Sequence, residues 1–242
     1  MKIDLFFTSD ELRENILADK AVIVIDVLRA SVTIAQALYN GCKDIIPVES
    51  AERALDLMQK IGRQFVLLCG ERDGQKIEGF DLGNSPFEYT EPVIRDKTLI
   101  FATTNGSKAI VKAASGDKVV IGSFVNFKEV AELVLNLNKE IAIVCSGKEG
   151  KFSLEDAVCG GMFVHKLQEQ KKGDSNDAAQ AAAVLYQKHK DNLLKVLETC
   201  EHGKFLTSLG FEKDLAFCSQ LNSLPVLPIL ENGRIIKYTA LT

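Results

Sequence analysis

Four stretches of this chain gather carboxylates, cations, glycines and hydroxyls directly after short apolar runs. The run 21–25 is followed by Asp26-Val27-Leu28-Arg29-Ala30-Ser31-Val32-Thr33, and the run 98–102 by Thr103-Thr104-Asn105-Gly106-Ser107. The run 141–145 leads into Ser146-Gly147-Lys148-Glu149-Gly150-Lys151, with Glu155 and Asp156 just beyond. After 64–69 comes the longest stretch, the seventeen residues 70–86 (GERDGQKIEGFDLGNSP), which hold four glycines. Glycine lets a backbone approach a ligand closely. Glu71, Asp73, Glu78 and Asp81 offer hard oxygen atoms of the kind that suit Mg²⁺, which typically takes one or two protein carboxylates beside water and substrate phosphate. Loops this long inside a compact domain are usually functional or disordered. Ile77, Phe80 and Leu82 supply apolar anchors that argue against disorder.

Each element also has a structural role open to it. Asp26 can close a turn, Ser31 or Thr33 can cap a helix, and Thr104-Asn105-Gly106 reads as a turn before a helix. Arg29 and Lys148, seen singly, are ordinary surface charges. What raises the chemical reading is their placement. The apolar runs 21–25, 44–48, 64–69, 98–102, 118–121 and 141–145 are β-branched or aromatic-rich, as strands buried on both faces are. Helix-period segments at 31–39, 51–61, 85–93, 107–114, 127–138 and 154–170 alternate with them. That alternation predicts a layered α/β/α fold with a mostly parallel, mixed sheet. In such sheets ligands bind beyond the carboxyl ends of the strands, where helix N-termini present free N–H groups. All four chemistry-bearing stretches fall at such ends.

Outside that pattern, residues 1–7 alternate as a short edge strand, and 177–200 reads as one long Ala/Leu-rich helix. Short helical pieces come next. A hairpin is expected between 226–230 and 234–238 around Glu231-Asn232-Gly233, since Asn-Gly between apolar runs is a strong turn signal. The whole chain, 1–242, is expected to be one unit, with sub-lobes of about 1–140 and 141–242 as the alternative division.

Composition narrows the class of partner. Lys plus Arg total 29 against 33 for Asp plus Glu, a formal charge of −4, which argues against a nucleic-acid footprint. No apolar run approaches the ~18 residues of a membrane span, and Asp4, Asp10 and Glu11 interrupt any secretory signal in the segment 1–14. The six cysteines form no C-x-x-C pair and fit a reduced, cytoplasmic protein. The Ala-rich run 178–184 offers a face for the core or for a partner helix, and the expectation leans to a homodimer. There is no G-x-x-x-x-G-K-[ST], no G-x-G-x-x-G and no G-x-S-x-G. A phosphatase of the kind with an Asp nucleophile needs a second Asp where Leu28 stands, and a Cys-based phosphate loop from Cys145 would need Arg where Lys151 stands. His165, His189 and His202 lie in or beside helical segments and read as structural.

Taken together, D-V-L-R-A-S-V-T, the 70–86 loop, T-T-N-G-S and S-G-K-E-G-x-F-x-L-E-D resemble the ComB family of magnesium-dependent 2-phosphosulfolactate phosphatases. The resemblance runs from Asp26 to about Asp214, with Ser107 and Val32 where the family usually carries Thr. It implies an α/β fold, Mg²⁺ as cofactor, and hydrolysis of (2R)-O-phospho-3-sulfolactate to (2R)-3-sulfolactate and phosphate, a step of the coenzyme M biosynthesis type. It leaves open a Mg²⁺ phosphatase of another phosphorylated 2-hydroxy acid, or a non-catalytic binder of such acids. On this reading Asp26 is a metal ligand or a nucleophile, and Glu71, with Asp156 or Glu155, completes the metal shell or acts as acid; Asp81 is a further candidate ligand. Arg29 and Arg72, with Lys108 and Lys148, would hold the anionic groups. Ser31, Thr33, Thr103, Thr104, Asn105, Gly106, Ser107, Ser146 and Gly147 would donate to the substrate, with Asn84 and Ser85 a secondary anion site.

Overall fold

Ten short strands among the described residues join in one mixed sheet. They are β1 (Ile3–Phe6), β2 (Ala21–Ile25), β3 (Asp44–Val48), β4 (Val66–Arg72), β5 (Gln75–Lys76), β6 (Thr98–Ala102), β7 (Lys118–Gly122), β8 (Ile141–Cys145), β9 (Pro228–Glu231) and β10 (Arg234–Lys237). This computed structural model describes residues 1–13 and 15–239; Glu14 and residues 240–242, which the one-unit and N-terminal readings included, lie outside the described residues. Across the sheet the order is β1-β8-β2-β7-β9-β10-β3-β6-β4-β5. Every residue of β2 and β8 is fully buried, which is why these runs are apolar throughout instead of alternating. Each buried Val or Ile contributes about 1.5–3 kcal/mol relative to exposure.

The helices are α1 (Ala30–Tyr39), α2 (Ala51–Ile61), α3 (Glu91–Ile94), α4 (Gly106–Lys112), α5 (Phe127–Asn136), α6 (Leu154–Gln170), α7 (Asp177–His189), α8 (Leu193–Thr199), α9 (Glu201–Ser208) and α10 (Glu212–Cys218). The layered α/β architecture is the expected one. Its centre is not. The closing hairpin lies within the sheet; β9 pairs antiparallel with β7 and β10 antiparallel with β3, so it joins two parallel blocks, β1-β8-β2-β7 and β3-β6-β4. Three successive antiparallel pairings make the two blocks run in opposite senses. Helix α1 packs against β7, β9 and β10, and α4 against β3 and β2, so both bridge the join. At Asn232 and Gly233 φ is +50° and +75°, as a two-residue hairpin turn requires. A cut at residue 140 would part β8 from its neighbours β1 and β2.

Three expected elements differ in detail. The helix expected over 177–200 is broken between α7 and α8, because Asn192 serves as an N-cap and accepts from the Lys195 N–H at 3.0 Å. The helix expected over 85–93 is only a 3-10 turn and the four-residue α3, each started by a proline near its N-terminus. The first part of the 70–86 loop is a β-hairpin in which Glu71 pairs with Lys76. Asp73 and Gly74 make its turn with φ of +52° and +74°, the same Asp-Gly signal that the length of the loop concealed.

Candidate active site

The end of β2 is wired into the start of α1. The Asp26 N–H donates to Ser31 Oγ at 2.9 Å, the Ser31 N–H to the Asp26 carbonyl at 2.9 Å, and the Ala30 N–H to Asp26 Oδ1 at 3.1 Å. Asp156, in the first turn of α6, fastens the neighbouring strand tip. Its Oδ1 accepts from the Val27 N–H at 2.8 Å and its Oδ2 from Ser146 Oγ at 3.0 Å and the Gly147 N–H at 3.3 Å. From the other block, Glu71 at the end of β4 accepts the Thr104 N–H on Oε1 at 2.7 Å and the Gly74 N–H on Oε2 at 2.9 Å. Thr103 and Ser107 bond one another reciprocally across the start of α4. The two blocks meet at Gly106, where an added Cβ would lie 2.5 Å from Asp26 Oδ2 and 2.5 Å from the Ala30 Cβ. Only glycine lets the α1 and α4 N-termini abut over Asp26.

The electrostatics reflect burial. Desolvation is the largest cause that pushes the Asp26 carboxyl up to about 6; the Glu71 carboxylate adds to it, and His202, the Ala30 N–H and Ser146 oppose it. Asp156 is pushed well above the carboxylate range by burial first, then by the charges of Asp26 and Glu155. Glu155 goes the other way: burial raises it, but His202, with Nδ1 3.6 Å from its Oε1, together with its own backbone N–H and Ser153, holds it below its ordinary value. Arg29, 2% exposed, is not spare charge. Its Nη1 donates to Asp214 at 2.7 Å, its Nη2 donates to the Gly74 carbonyl at 2.7 Å, and the guanidinium lies 4.2 Å from the Phe211 ring centroid.

Over these strand tips lies an arm made of α8, α9 and α10. A cavity of about 290 Å³ lies between the two, lined by Glu71, Asp73, Thr104 and Asn105 and by Lys148, His202 and Phe205. Gly74 packs beneath Phe205 and Leu209 of the arm. Asp214 anchors it, accepting from Arg29 on Oδ2 and from Ser85 Oγ on Oδ1 at 2.8 Å.

The structure therefore brings Asp26, Glu71, Asp156, Glu155, Thr104, Asn105, Gly106, Ser146, Gly147 and Lys148 to one place. Other expected site residues serve the scaffold. Ser31 holds the Asp26 turn, Thr103 and Ser107 cap one another, and Thr33 donates to the Asn84 carbonyl at 2.8 Å. Ser85 is committed to Asp214. Asp81 accepts from the Leu68 N–H at 2.7 Å and pairs with Arg63, pinning the loop away from Asp26. Arg72 is exposed; strand alternation sends it to the face opposite Glu71, and its charge acts on Glu52 of α2. His202 and Asp214 are site residues that the sequence motifs do not mark. Nothing in their spacing ties them to Asp26, and the only signal is that histidine is scarce, with three in the chain. Cys145 is buried with its thiol pushed well above the usual range by desolvation, which fits its reading as a core residue.

The donor set suits a hard divalent cation: oxygen atoms of Asp26, Glu71 and Asp156, with the buried Thr104 Oγ1 lacking any hydrogen-bond partner among the described residues. No three His, Cys, Asp or Glu side chains among the described residues enclose an ion by themselves. An ion here would therefore take one or two of them beside water and substrate oxygens, the usual habit of Mg²⁺. No helix among the described residues is long and apolar enough to cross a membrane.

Comparison with known proteins identifies relatives along the whole chain. The family model described as 2-phosphosulpholactate phosphatase matches residues 6–233. A probable 2-phosphosulfolactate phosphatase of Carboxydothermus hydrogenoformans is 42% identical over 238 residues, 98% of this chain and 97% of that one. Proteins of the same name from Caldanaerobacter subterraneus subsp. tengcongensis and Clostridium acetobutylicum are 40% identical over 233 residues and 39% over 237. These alignments cover 96% and 98% of this chain, and 97% and 100% of the relatives.

Proposed function

Because the chain belongs to the 2-phosphosulpholactate phosphatase family, whose members are phosphoric monoester hydrolases, we propose that it hydrolyses (2R)-O-phospho-3-sulfolactate to (2R)-3-sulfolactate and phosphate. The reaction would depend on Mg²⁺, take place in the cytoplasm, and serve as a step of the coenzyme M biosynthesis type. The observation that carries this reading is the buried Asp26 carboxyl, pushed up to about 6 at strand tips whose Glu71 and Thr104 line a cavity.

Uncatalysed hydrolysis of a phosphate monoester is so slow that catalysis must lower the barrier by more than ~20 kcal/mol. Mg²⁺ held by Asp26 with Glu71 or Asp156 would neutralise phosphoryl oxygens and activate water. The protein's own part is to hold these carboxylates in place without cations. Backbone N–H groups of Ala30, Val27, Gly147, Thr104 and Gly74 fix every one of them, so the negative cluster is oriented before substrate arrives. Asp26 acts as ligand or as nucleophile. Borohydride reduction of acid-quenched enzyme separates the two, since an acyl phosphate at Asp26 would yield homoserine there and a ligand would not. Lys148, in the cavity wall, attracts the anionic substrate, and Phe205 shields the site from water.

The test is phosphate release from phosphosulfolactate, phospholactate and phosphoglycolate with Mg²⁺ present. The reading expects turnover, highest with phosphosulfolactate. Turnover highest with another phosphorylated 2-hydroxy acid would transfer the assignment to that acid, and binding without turnover of any would make the protein a sensor.

A further inference from the structure

A second cavity, of about 400 Å³, lies on the far side of His202 from Glu71 and shares the Lys148 and His202 walls with the first. We propose that this cavity receives the sulfonate arm of the substrate, and that Lys148 and Lys151 are the residues that read it; this rests on the phosphosulfolactate reading above. The turn after β8 sets their direction. Lys148 and Lys151 form an isolated antiparallel bridge, each N–H donating to the other's carbonyl at 2.9 Å, with φ of +51° at Glu149 and +73° at Gly150 between them. Residues directly opposite in such a bridge project from the same face. Both side chains line the second cavity, with Phe152 and Leu154 giving it an apolar flank.

Elimination supports the assignment. A phosphorylated sulfo acid carries a phosphate, a carboxylate and a sulfonate, so cations must be found beyond the metal-binding carboxylates. Arg29 is taken up by Asp214, and Arg72 faces α2. Lys112 is paired with Asp10, whose carboxyl is held down by Lys112 first and by Lys108 more weakly, so these two lysines answer a charge already present. Among the described residues neither Lys148 nor Lys151 is in an ion pair; the Lys148 Nζ rests 4.8 Å from the Phe205 ring centroid, between the two cavities. Two carboxylates also reach the second cavity. Glu155 is buried, with Oε1 3.6 Å from His202 Nδ1, and Glu201 is exposed. Lys148 and Lys151 are thus the ammonium groups of this cavity that no carboxylate among the described residues takes up in an ion pair. The first turns of α6 and α9 open onto the same space and add partial positive charge.

The experiment compares kcat/KM for phosphosulfolactate and for phospholactate, which carries a methyl group in place of the sulfonated carbon, in wild type, Lys148→Gln and Lys151→Gln. Loss of a charge-assisted contact should reduce the preference for the sulfonated substrate about tenfold or more in Lys148→Gln and about threefold in Lys151→Gln. An unchanged ratio in both variants overturns the assignment, even if both rates fall. Lys151 is exposed, so its variant carries the test if Lys148→Gln fails to fold by circular dichroism. Should wild type turn over neither substrate, the functional reading fails and the subsite is judged by calorimetric titration with sulfoacetate. Binding weakened in Lys148→Gln sustains the subsite; binding that is equal in both, or absent in wild type, removes it.

Discussion

In the floor formed by the strand tips, Asp26 and Asp156 are buried carboxylates hydrogen-bonded by backbone and hydroxyl donors, and both titrate high. Toward the helical arm, Glu155 and Asp214 are equally buried, but each has a basic partner of its own, His202 for one and Arg29 for the other. Burying like charges together costs stability, whereas pairing a buried charge with hydrogen bonds recovers most of that cost. The floor therefore carries an electrostatic strain that only a bound cation or a proton can relieve. The arm carries none. Floor and arm divide the work: one is poised to bind, the other to hold itself in place over the binding site.

If that division is right, removing divalent metal should have the largest effect. Chelation followed by assay is expected to lower turnover at least about a thousandfold, and thermal melts should show that added Mg²⁺ raises Tm in wild type. Next comes the arm's own anchor. Asp214→Asn leaves the buried Arg29 guanidinium without its charge partner and should destabilise the fold by about 3–4 kcal/mol, read by urea denaturation. A cost under about 1 kcal/mol would mean that the pair does not anchor the arm. Gly106→Ala strikes the junction between the two blocks. Its methyl would meet Asp26 Oδ2 and Ala30, so a loss of about 1–3 kcal/mol is expected together with lower activity. Smallest of all is Arg72→Ala. With its side chain exposed on the face opposite Glu71, it should change kcat/KM less than about threefold. A larger fall would bring Arg72 back to the substrate and blur the boundary of the floor.

The floor is legible in the sequence and the arm is not, for a physical reason. Strand tips announce themselves: an apolar run must end, and the residues just after it lie at the carboxyl end of their own parallel block. Asp26, Glu71, Thr104 and Ser146 can thus be gathered from separate parts of the chain by their positions alone. The α/β layering is legible for the same reason, since fully buried strands such as β2 and β8 admit little but β-branched residues. His202 and Asp214 sit on short helices whose docking is decided by tertiary pairing with Arg29, Glu155 and Gly74, and no local period encodes that. Position in the sheet is equally hidden. The closing hairpin is readable from Asn232-Gly233, but its insertion between β7 and β3 depends on which strand edges the two blocks leave open. Residue type also misleads where the partner is unseen: Arg29 has the chemistry of a phosphate ligand, and the structure gives it to Asp214.

One substitution tests the central claim on two axes at once. In the fold the Asp26 pKa is about 6, raised from 3.8 chiefly by desolvation, so folded protein binds that proton more tightly than unfolded protein. The sign is then fixed: the group's contribution is most favourable below pH 4, and stability is lost as pH rises from about 4 to 6 and stays lost above. For metal-free protein, Asp26→Asn should therefore raise stability at pH 7, by up to about 3 kcal/mol, and flatten the pH dependence between 4 and 6. The wild-type enzyme should show an acidic limb in kcat/KM at or below about pH 6, lower when Mg²⁺ is bound. With phosphosulfolactate and saturating Mg²⁺, Asp26→Asn should lose at least about a thousandfold in turnover while melting higher than wild type without metal. A variant that keeps wild-type turnover, or one that is both inactive and less stable at neutral pH, would contradict the account of Asp26 as a buried, function-bearing charge.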